Sequence, residues 1–515
     1  MKRWGPMSRV LLGSLLLLLL VACPGGGAPK LTVSPKTQTV VAGGAPVNFT
    51  ATLTGASGTI TWSLSGPGSI STTTGAGTTY TPPASVASPQ TATLTATSGS
   101  LSDNATITIN PPASITVSGK VIDFFGQGVG GLAVRIGNTT TTTASDGTFS
   151  IPNVSTPYDA VVFNSGTKIV NYYKGLTRSD PSLTAINLAS FTPPKSASFS
   201  GNLSGGAGFP NPANHTTRVF FGSPETLQSG SSVAGPAYGP VSAAWFGPDS
   251  TSGNVYALQW QFDPGTGFPI DYKGFGSKAL TLSNGGTFNN QDVTLGSLAE
   301  DTFSGSVSVP AGYTLNQRRV NLRVAPGSGT VLLTDASAAA GFSYVTPRIT
   351  GATISLLATA SSGVKSSLAW KAGAATNASG VSVSLTAAPG LTVPVNNATG
   401  VTINTDFQTT GFSGGVNVFY FKHLAGSNPD IYVITTANTT KIPDLSAIGL
   451  GLPTSGAVSY SWQVIGVAPF TSTDLAAGPG GFLRDYVKVA LLGSGAGPDA
   501  DGGIGQSETF NFTTP

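Results

Sequence analysis

The chain has 515 residues and a formal net charge of +3, and only 9% of its residues are charged, against about 25% in ordinary globular domains. Because 39% of the residues are hydrophobic, the composition argues against a classical disordered chain. Three of the 24 basic residues, Lys2, Arg3 and Arg9, lie in the first 22 residues, which leaves 21 basic against 21 acidic residues and no basic patch for nucleic acid.

The N-terminus predicts an export signal. An apolar segment from Val10 to Val21 follows the basic residues and is shorter than the about 20 residues of a spanning helix. The run Leu20-Val21-Ala22-Cys23 resembles the bacterial lipobox, and this resemblance implies that residues 1–22 are removed and that the thiol of Cys23 receives lipid. The alternative is a plain signal peptide with an incidental cysteine. Residues 23–30 then form a lipidated, flexible tether at the outer side of a membrane.

Period-two alternation dominates the rest of the chain. Apolar residues alternate with Thr and Ser between Gly, Pro and Asn, which is the pattern of half-buried strands. After residue 23 we find no convincing helical period over three turns. We therefore predict an all-β protein, a string of β-sandwich domains, here called the first to fifth modules.

The first module covers residues 31–110. A strand with Trp62 is followed by Gly68-Ser69-Ile70, Gly77 and Tyr80 to Pro83, which resembles bacterial immunoglobulin-like domains. The resemblance implies that Trp62 packs between two sheets without a disulfide, and a role of Trp62 in ligand binding is the minor alternative.

The second module covers residues 113–192. Its stretch from Gly119 to Ile151, with Asp123, Val134 and Asp146-Gly147, resembles the carboxypeptidase regulatory-like (transthyretin-like) domain. That family is a seven-stranded sandwich, often grouped with carbohydrate-binding-like folds, and acts as a non-catalytic accessory or spacer. Asp146 is expected in a hairpin turn, with a calcium ligand as the weaker alternative.

Two weak repeats follow. Phe199 and Phe303 begin similar strands, and Trp260 in YALQW corresponds to Trp370 in SLAW, so we predict related third and fourth modules over 195–300 and 301–392. The fifth module, 393–515, contains Tyr460, Trp462 and Val464 and resembles fibronectin type III-like domains, although its Gly-rich insert 477–505 departs from the pattern.

Catalytic and metal-binding patterns are weak throughout. The two histidines lie about 200 residues apart, and no HExxH motif or zinc pair occurs. Gly411-Phe412-Ser413-Gly414-Gly415 matches G-x-S-x-G, but a strand pattern follows where a nucleophile elbow needs a helix. Asp499-Ala500-Asp501-Gly502 resembles half a calcium loop and lacks the further ligands, so a turn is favoured. We predict no enzyme activity, no cofactor and no metal.

Aromatic residues near Pro and Gly are the candidate ligand contacts, because sugar faces stack on rings. The alternative is that these rings plug the ends of the sandwiches. The sequence thus favours a lipid-anchored cell-surface protein with an adhesive or structural role, whose partners are the membrane and a surface protein, and a carbohydrate-binding lipoprotein that retains polysaccharide is the second hypothesis. The candidate contacts are Tyr172, Tyr173, Tyr238, Trp245 and Phe246.

Overall fold

Strands dominate the chain because alternating residues bury one side of each strand and expose the other. The computed structural model describes residues 28–84, 86–111, 114–188, 194–208, 214–325, 330–337, 339–490 and 497–515, without the side chains of 228, 330–337 and 490. The all-β prediction is confirmed: the strands form packed β-sandwiches, and the described residues contain two short α-helices. The predicted signal peptide 1–22, Cys23 and the module boundaries at Pro112 and Pro193 lie outside the described residues.

The chain divides into two compact units, one within residues 1–113 and one from Ser114 to Pro515. The first is a two-sheet sandwich, with strand orders β1-β3-β6-β5 and β2-β8-β7-β4. This order corresponds to the two sheets of an immunoglobulin fold. Trp62 is buried between them, as predicted, and its indole N–H donates to the carbonyl of Gly75 at 2.8 Å. The strands are β1 (Lys30–Ser34), β2 (Thr37–Val41), β3 (Val47–Thr54), β4 (Thr61–Ser65), β5 (Ser69–Ile70), β6 (Gly77–Thr81), β7 (Gln90–Ser98) and β8 (Leu101–Asn110).

The second unit contains the other predicted modules. The strands of the second module are β9 (Ser114–Ile122), β10 (Ala133–Ile136), β11 (Thr139–Thr142), β12 (Thr148–Ser155), β13 (Tyr158–Asn164), β14 (Ile169–Leu176) and β15 (Ser182–Thr184). Those of the third are β16 (Lys195–Gly205), β17 (His215–Gly222), β18 (Thr226–Ser229), β19 (Ser231–Val233), β20 (Ala237–Trp245), β21 (Ser250–Phe262), β22 (Pro269–Ser283), β23 (Thr287–Phe288) and β24 (Val293–Leu295).

The remaining elements complete this unit. The fourth module holds β25 (Glu300–Ser308), β26 (Thr314–Arg323), β27 (Thr330–Ser337), β28 (Gly341–Pro347), β29 (Thr353–Ser362), β30 (Lys365–Ala375) and β31 (Val381–Ser384), and β32 (Leu391–Val393) crosses into the fifth. The fifth module then has β33 (Phe407–Thr409), β34 (Val416–His423), β35 (Asp430–Thr435), β36 (Thr439–Thr440), a 3₁₀ helix (Ser446–Ile448), β37 (Ser459–Ala468), α1 (Thr473–Ala476), α2 (Arg484–Ala490), β38 (Gly502–Gln506) and β39 (Phe510–Thr513).

One sheet runs through three of the predicted modules. Its 13 strands follow the order β11-β10-β13-β14-β35-β34-β37-β38-β30-β29-β26-β27, with β39 paired to β37. The second module joins the fifth through parallel pairing of β14 with β35, from Ile169 opposite Asp430 to Tyr173 opposite Ile434. The fifth joins the fourth through antiparallel pairing of β38 with β30. These modules are therefore fused laterally by backbone hydrogen bonds.

Hydrophobic cores also cross the predicted boundaries. In β21, Tyr256, Leu258 and Trp260 belong to a core shared with the fourth module, whereas Val255 and Ala257 face the core of the third. The sheet that contains β21 is consequently buried on both sides. The α1–α2 insert of the fifth module packs on the second, where Phe482 lies in the same core as Tyr173.

Candidate functional site

The structure does not support an exposed platform of the five candidate aromatic rings. Tyr173, Tyr238 and Trp245 are 0%, 4% and 1% exposed, because they lie within strands β14 and β20 and point into cores. Their polar atoms are satisfied internally: the Tyr173 hydroxyl donates to the Thr184 carbonyl at 2.9 Å, and the Trp245 indole N–H to the Pro248 carbonyl at 2.9 Å. The Tyr238 hydroxyl donates to the carbonyl of Gln291. The premise that these three rings are exposed is wrong.

Phe246 and Tyr172 are placed differently. Phe246 is 9% exposed and packs on Phe125, with the two ring centroids 4.6 Å apart. Tyr172 is half-buried and lines a separate groove between the second and fifth modules. The structure therefore separates these two residues, and neither contributes to a shared aromatic surface with the other three.

The groove beside Tyr172, here called the Tyr172 groove, has a volume of about 640 Å³. Small-molecule sites typically enclose about 300–1,000 Å³, so its size suits a ligand of a few rings. It exists because parallel pairing of β14 with β35 sets the fifth module beside the outer strands of the second. It is lined by Arg135, Ile136, Gly137, Asn138, Thr139, Ile151, Pro152, Asn153, Val154, Ser155, Pro157, Tyr158, Asp159, Val161, Tyr172, Asp444, Leu445, Ala447 and Ile448.

A β-bulge shapes one wall of the groove. The register between β12 and β9 shifts between Ile151 and Val154, and Asn153 within this bulge has a φ of 58°. Bulges often re-aim side chains at the edge of a binding site, and Asn tolerates positive φ better than most residues. The side chain of Asn153 is exposed and makes no hydrogen bond within the described residues, so its amide remains available to a ligand.

A hydrogen-bonded pair fixes the floor of the groove. The Tyr172 hydroxyl donates to Oδ2 of Asp159 at 2.7 Å, and Oδ1 of Asp159 accepts from the backbone N–H of Gly175 at 2.8 Å. Burial raises the pKa of Tyr172, and the hydrogen bond to the Asp159 carboxylate raises it further, so this phenol stays protonated at neutral pH. The pair presents a ring held in a fixed orientation beside a carboxylate.

Polar side chains with planar groups surround this floor. The Arg135 guanidinium donates to the Gly137 carbonyl at 2.8 Å and approaches Oδ1 of Asn138 at 3.4 Å. From the fifth module, Asp444 accepts a hydrogen bond from the backbone N–H of Ser446 at 3.0 Å, and hydrogen bonds from Ser446 lower the pKa of this carboxyl. The groove thus combines the Tyr172 ring with amide, guanidinium and carboxylate groups, which can hydrogen-bond neighbouring hydroxyls of a ligand.

The G-x-S-x-G segment is not a nucleophile elbow. Gly411 and Gly414 have positive φ, and the segment leads into strand β34 rather than a helix, as the sequence predicts. His423 ends β34 and hydrogen-bonds Oδ1 of Asp430 at 2.7 Å, while Ser413 lies before the start of that strand. The eight residues of β34 between Ser413 and the ring of His423 span roughly 23 Å at about 3.3 Å per residue.

The acidic residues of the two predicted turns, Asp146 and the pair Asp499 and Asp501, are bound to other groups of the protein. Asp146 accepts from the backbone N–H of Thr148 at 3.0 Å, in the predicted turn between β11 and β12. Asp499 lies 2.5 Å from the Lys488 ammonium, and Asp501 lies 2.6 Å from that of Lys371. Among the described residues no group of three His, Cys, Asp or Glu could hold a metal ion, and no helix there is long and apolar enough to cross a bilayer.

The sequence predicted one residue of the groove, Tyr172, as a ligand contact and did not predict the others as contacts. Arg135, Asn138 and Asp159 sit in ordinary strand and turn contexts, and Asp444 lies almost 300 residues farther along the chain. The one available signal was Pro152-Asn153, which interrupts the alternation of β12 and marks the bulge.

No protein-family model matches this chain, and no curated protein matches it. It is similar to the solved structure of the Bacillus anthracis TIE protein, at 10% identity over 70% of this chain and 75% of that one, with a TM-score of 0.19. It is also similar to immunoglobulin domains 1–5 of Sidekick-1 (8% identity, 85% and 96% of the chains, TM-score 0.11). A third is the N-terminal four Ig domains of Dscam1 isoform 7.44 (9% identity, 78% and 99%, TM-score 0.14). At these scores the similarities assign no function to this chain.

Proposed function

We propose that this chain is a non-catalytic, lipid-anchored protein of the cell envelope with an adhesive or structural role. The observation that carries the proposal is the 13-stranded sheet, which fuses the second, fourth and fifth modules by backbone pairing. Such a unit resists separation of its modules, because the paired strands and the shared cores must be broken together. The lipobox-like sequence at Leu20 to Cys23 supports the anchor.

The anchor and the adhesive role are tested separately in cells that export the chain. The wild type is expected to partition into the detergent phase and to incorporate labelled fatty acid, and Cys23→Ser is expected to do neither. Cells with the anchored chain should adhere to each other or to a surface more strongly than cells with Cys23→Ser. An unlabelled, water-partitioning wild type would refute the anchor, and equal adhesion of both cell types would refute the adhesive role.

Carbohydrate binding through the Tyr172 groove is the second candidate. The favouring observation is the fixed Tyr172 ring beside Asp159, together with the exposed Asn153 amide, which has no hydrogen-bond partner in the part of the chain that the structure describes. Sugars present apolar faces that pack on aromatic rings and hydroxyl pairs that bind planar amide and carboxylate groups. Since Asp444 comes from the fifth module, a ligand in the groove would contact both sides of the joint between β14 and β35.

The test is retention of residues 24–515 on a panel of insoluble polysaccharides. Asn153→Gly removes the amide while keeping a backbone that accepts positive φ, and Asn397→Gly is a matched control outside the groove with a φ of 65°. Retention that falls for Asn153→Gly and Tyr172→Ala, and is unchanged for Asn397→Gly, supports sugar binding. Equal retention of all variants, or none on any polysaccharide, would refute it.

A further inference from the structure

A second cavity, here called the Phe246 cleft, lies where the second, third and fifth modules meet. Its volume is about 430 Å³, within the range of small-molecule sites. All three modules belong to the compact unit from Ser114 to Pro515. It is lined by Phe124, Phe125, Gly126, Gln127, Pro224, Glu225, Thr226, Leu227, Phe246, Gly247, Gly480, Arg484 and Lys488.

One side of the Phe246 cleft is apolar and partly aromatic. The rings of Phe125 and Phe246 lie 4.6 Å apart at 37° to each other, and Phe124 and Leu227 extend the surface. Aromatic faces of this kind bind flat apolar groups, and each well-placed aromatic pair is worth about 0.5–1.5 kcal/mol beyond the area it buries. This side therefore favours a ligand with an aromatic or flat apolar body.

The part of the lining that belongs to the fifth module includes two cations of α2, Arg484 and Lys488. Both contact the same carboxylate, because Asp499 lies 3.0 Å from the Arg484 guanidinium and 2.5 Å from the Lys488 ammonium. Arg323 contacts Asp499 as well, at 3.4 Å. The second acid, Asp485, lies 3.8 Å from Lys488. Among the described residues, Arg484, Lys488 and Arg323 share these two carboxylates, and of the three cations Arg484 and Lys488 line the cleft.

Besides Arg484 and Lys488, the cleft is lined by the carboxylate of Glu225, which belongs to the third module. Oε2 of Glu225 accepts a hydrogen bond from the Thr251 hydroxyl at 2.7 Å, which fixes this carboxylate on the wall that carries Phe246. A bound anion would be repelled by Glu225 and attracted by α2, so its charged group would be oriented toward Arg484 and Lys488. The cleft therefore has an apolar side and a defined electrostatic direction.

We propose that the Phe246 cleft is a binding site for a small amphipathic carboxylate, whose flat apolar body packs on Phe125 and Phe246 and whose carboxylate bonds Arg484 and Lys488. Arg is well suited to such a group because its planar fork matches the two oxygens. The site is separate from the Tyr172 groove, with which it shares no lining residue, and it does not depend on the proposed adhesive role.

The experiment uses residues 24–515 and three probes of similar shape: 2-naphthoate, the neutral 2-naphthalenemethanol and the cationic 2-naphthylmethylamine. Binding is measured by ligand-observed NMR and calorimetry. We expect 2-naphthoate to bind at least about tenfold more tightly than either other probe, since a hydrogen-bonded ion pair adds about 1.5–3 kcal/mol. Equal binding of acid and alcohol, or no saturable binding of the acid, would overturn the proposal.

Variants separate binding from folding. Lys488→Gln should lower the affinity for 2-naphthoate about tenfold. Lys371→Gln, which removes an ion-paired lysine outside the cleft, should leave that affinity unchanged. Glu225→Gln keeps an oxygen that can accept the hydrogen bond from Thr251, but it removes the repelling charge. This variant should therefore bind 2-naphthoate a few-fold more tightly and bind 2-naphthalenemethanol with unchanged affinity. A gain of affinity cannot come from partial unfolding. An unchanged affinity in both Lys488→Gln and Glu225→Gln would refute the site even if the wild type binds.

Discussion

The carboxylate of Asp474 makes several of the hydrogen bonds between α1 and the second module, and its removal should loosen the attachment of the insert of the fifth module. Asp474 accepts hydrogen bonds from the backbone N–H groups of Thr177 at 2.8 Å and of Arg178 at 3.2 Å, and from the Thr177 hydroxyl. The Arg178 guanidinium also donates to the Asp474 carbonyl at 2.8 Å, a bond that Asp474→Ala retains.

The magnitude follows from the three lost side-chain bonds. Each is charge-assisted but partly exposed to water, so about 1 kcal/mol each is appropriate, or about 3 kcal/mol in total. The cost should appear as local opening of α1 and α2 rather than global unfolding, because the sheets of the unit keep their own pairing. The equilibrium constant for that opening should increase roughly a hundredfold.

Hydrogen exchange measured by mass spectrometry tests this expectation. The amide of Ser182, which donates to the Ala477 carbonyl at 2.7 Å, should exchange about a hundredfold faster in Asp474→Ala. Asp263→Ala is the control, because Asp263 also accepts from two backbone N–H groups and one hydroxyl, yet within a local turn of the third module. Unchanged exchange at Ser182, or equal acceleration in the control, would show that Asp474 does not hold the insert.

The same carboxylate predicts a pH dependence. Burial opposes its ionisation, but the hydrogen bonds from Thr177 and Arg178 outweigh burial and lower the pKa of Asp474. A lowered folded pKa means that the stabilisation is complete above the unfolded value of about 3.9 and is lost as the pH falls through the folded value. Exchange at Ser182 in the wild type should therefore approach that of Asp474→Asn only below about pH 4. A constant ratio from pH 7 to pH 3 would contradict the linkage.

Three further outcomes are expected. Trp245→Ala should destabilise the third module by about 4 kcal/mol in denaturant unfolding, because a fully buried indole is replaced by a cavity; a loss below 1 kcal/mol would contradict the core placement. Gly466→Ala should lower the thermal midpoint strongly because its Cβ would overlap the Phe412 ring, whereas Gly341→Ala, with open space around the Cβ, should not. Added calcium should leave the thermal midpoint unchanged, because Asp499 and Asp501 are paired with lysines; a saturable rise with calcium would contradict this.

Period-two alternation predicted strand faces well. Phe49 and Ala51 of β3 are buried, as the alternation in VNFTATL indicates, and Trp62 lies in the same core. Alternation identifies which side of a strand is buried, but it contains no information on which strand pairs with it. The parallel pairing of β14 with β35 joins residues about 260 positions apart and has no local signal. The lateral fusion of the modules therefore could not be predicted from the pattern of apolar residues in the sequence.

The candidate site shows the same limit. Tyr238 and Trp245 were selected because Gly and Pro flank them, yet both occur in strand β20, whose register with β16 shifts between Tyr238 and Val241 and so accommodates Gly239 and Pro240. Tyr172 and Tyr173 are adjacent, and a strand necessarily points them to opposite faces, so at most one could line a surface. Which of the two does so depends on the placement of the fifth module, which the residues around them do not encode.

The parallel joint between β14 and β35 also bears on the order in which a new chain is made. About 250 residues separate the end of β14 from the start of β35. Because synthesis proceeds from the N-terminus at about 5–20 residues per second, β35 is made roughly 10–50 s after β14. During that interval the outer N–H and C=O groups of β14 have no strand beside them, and an unpaired edge is a template for pairing with another chain. Each nascent molecule therefore passes through a stage in which the edge of β14 can pair with a strand of another chain before β35 has been made.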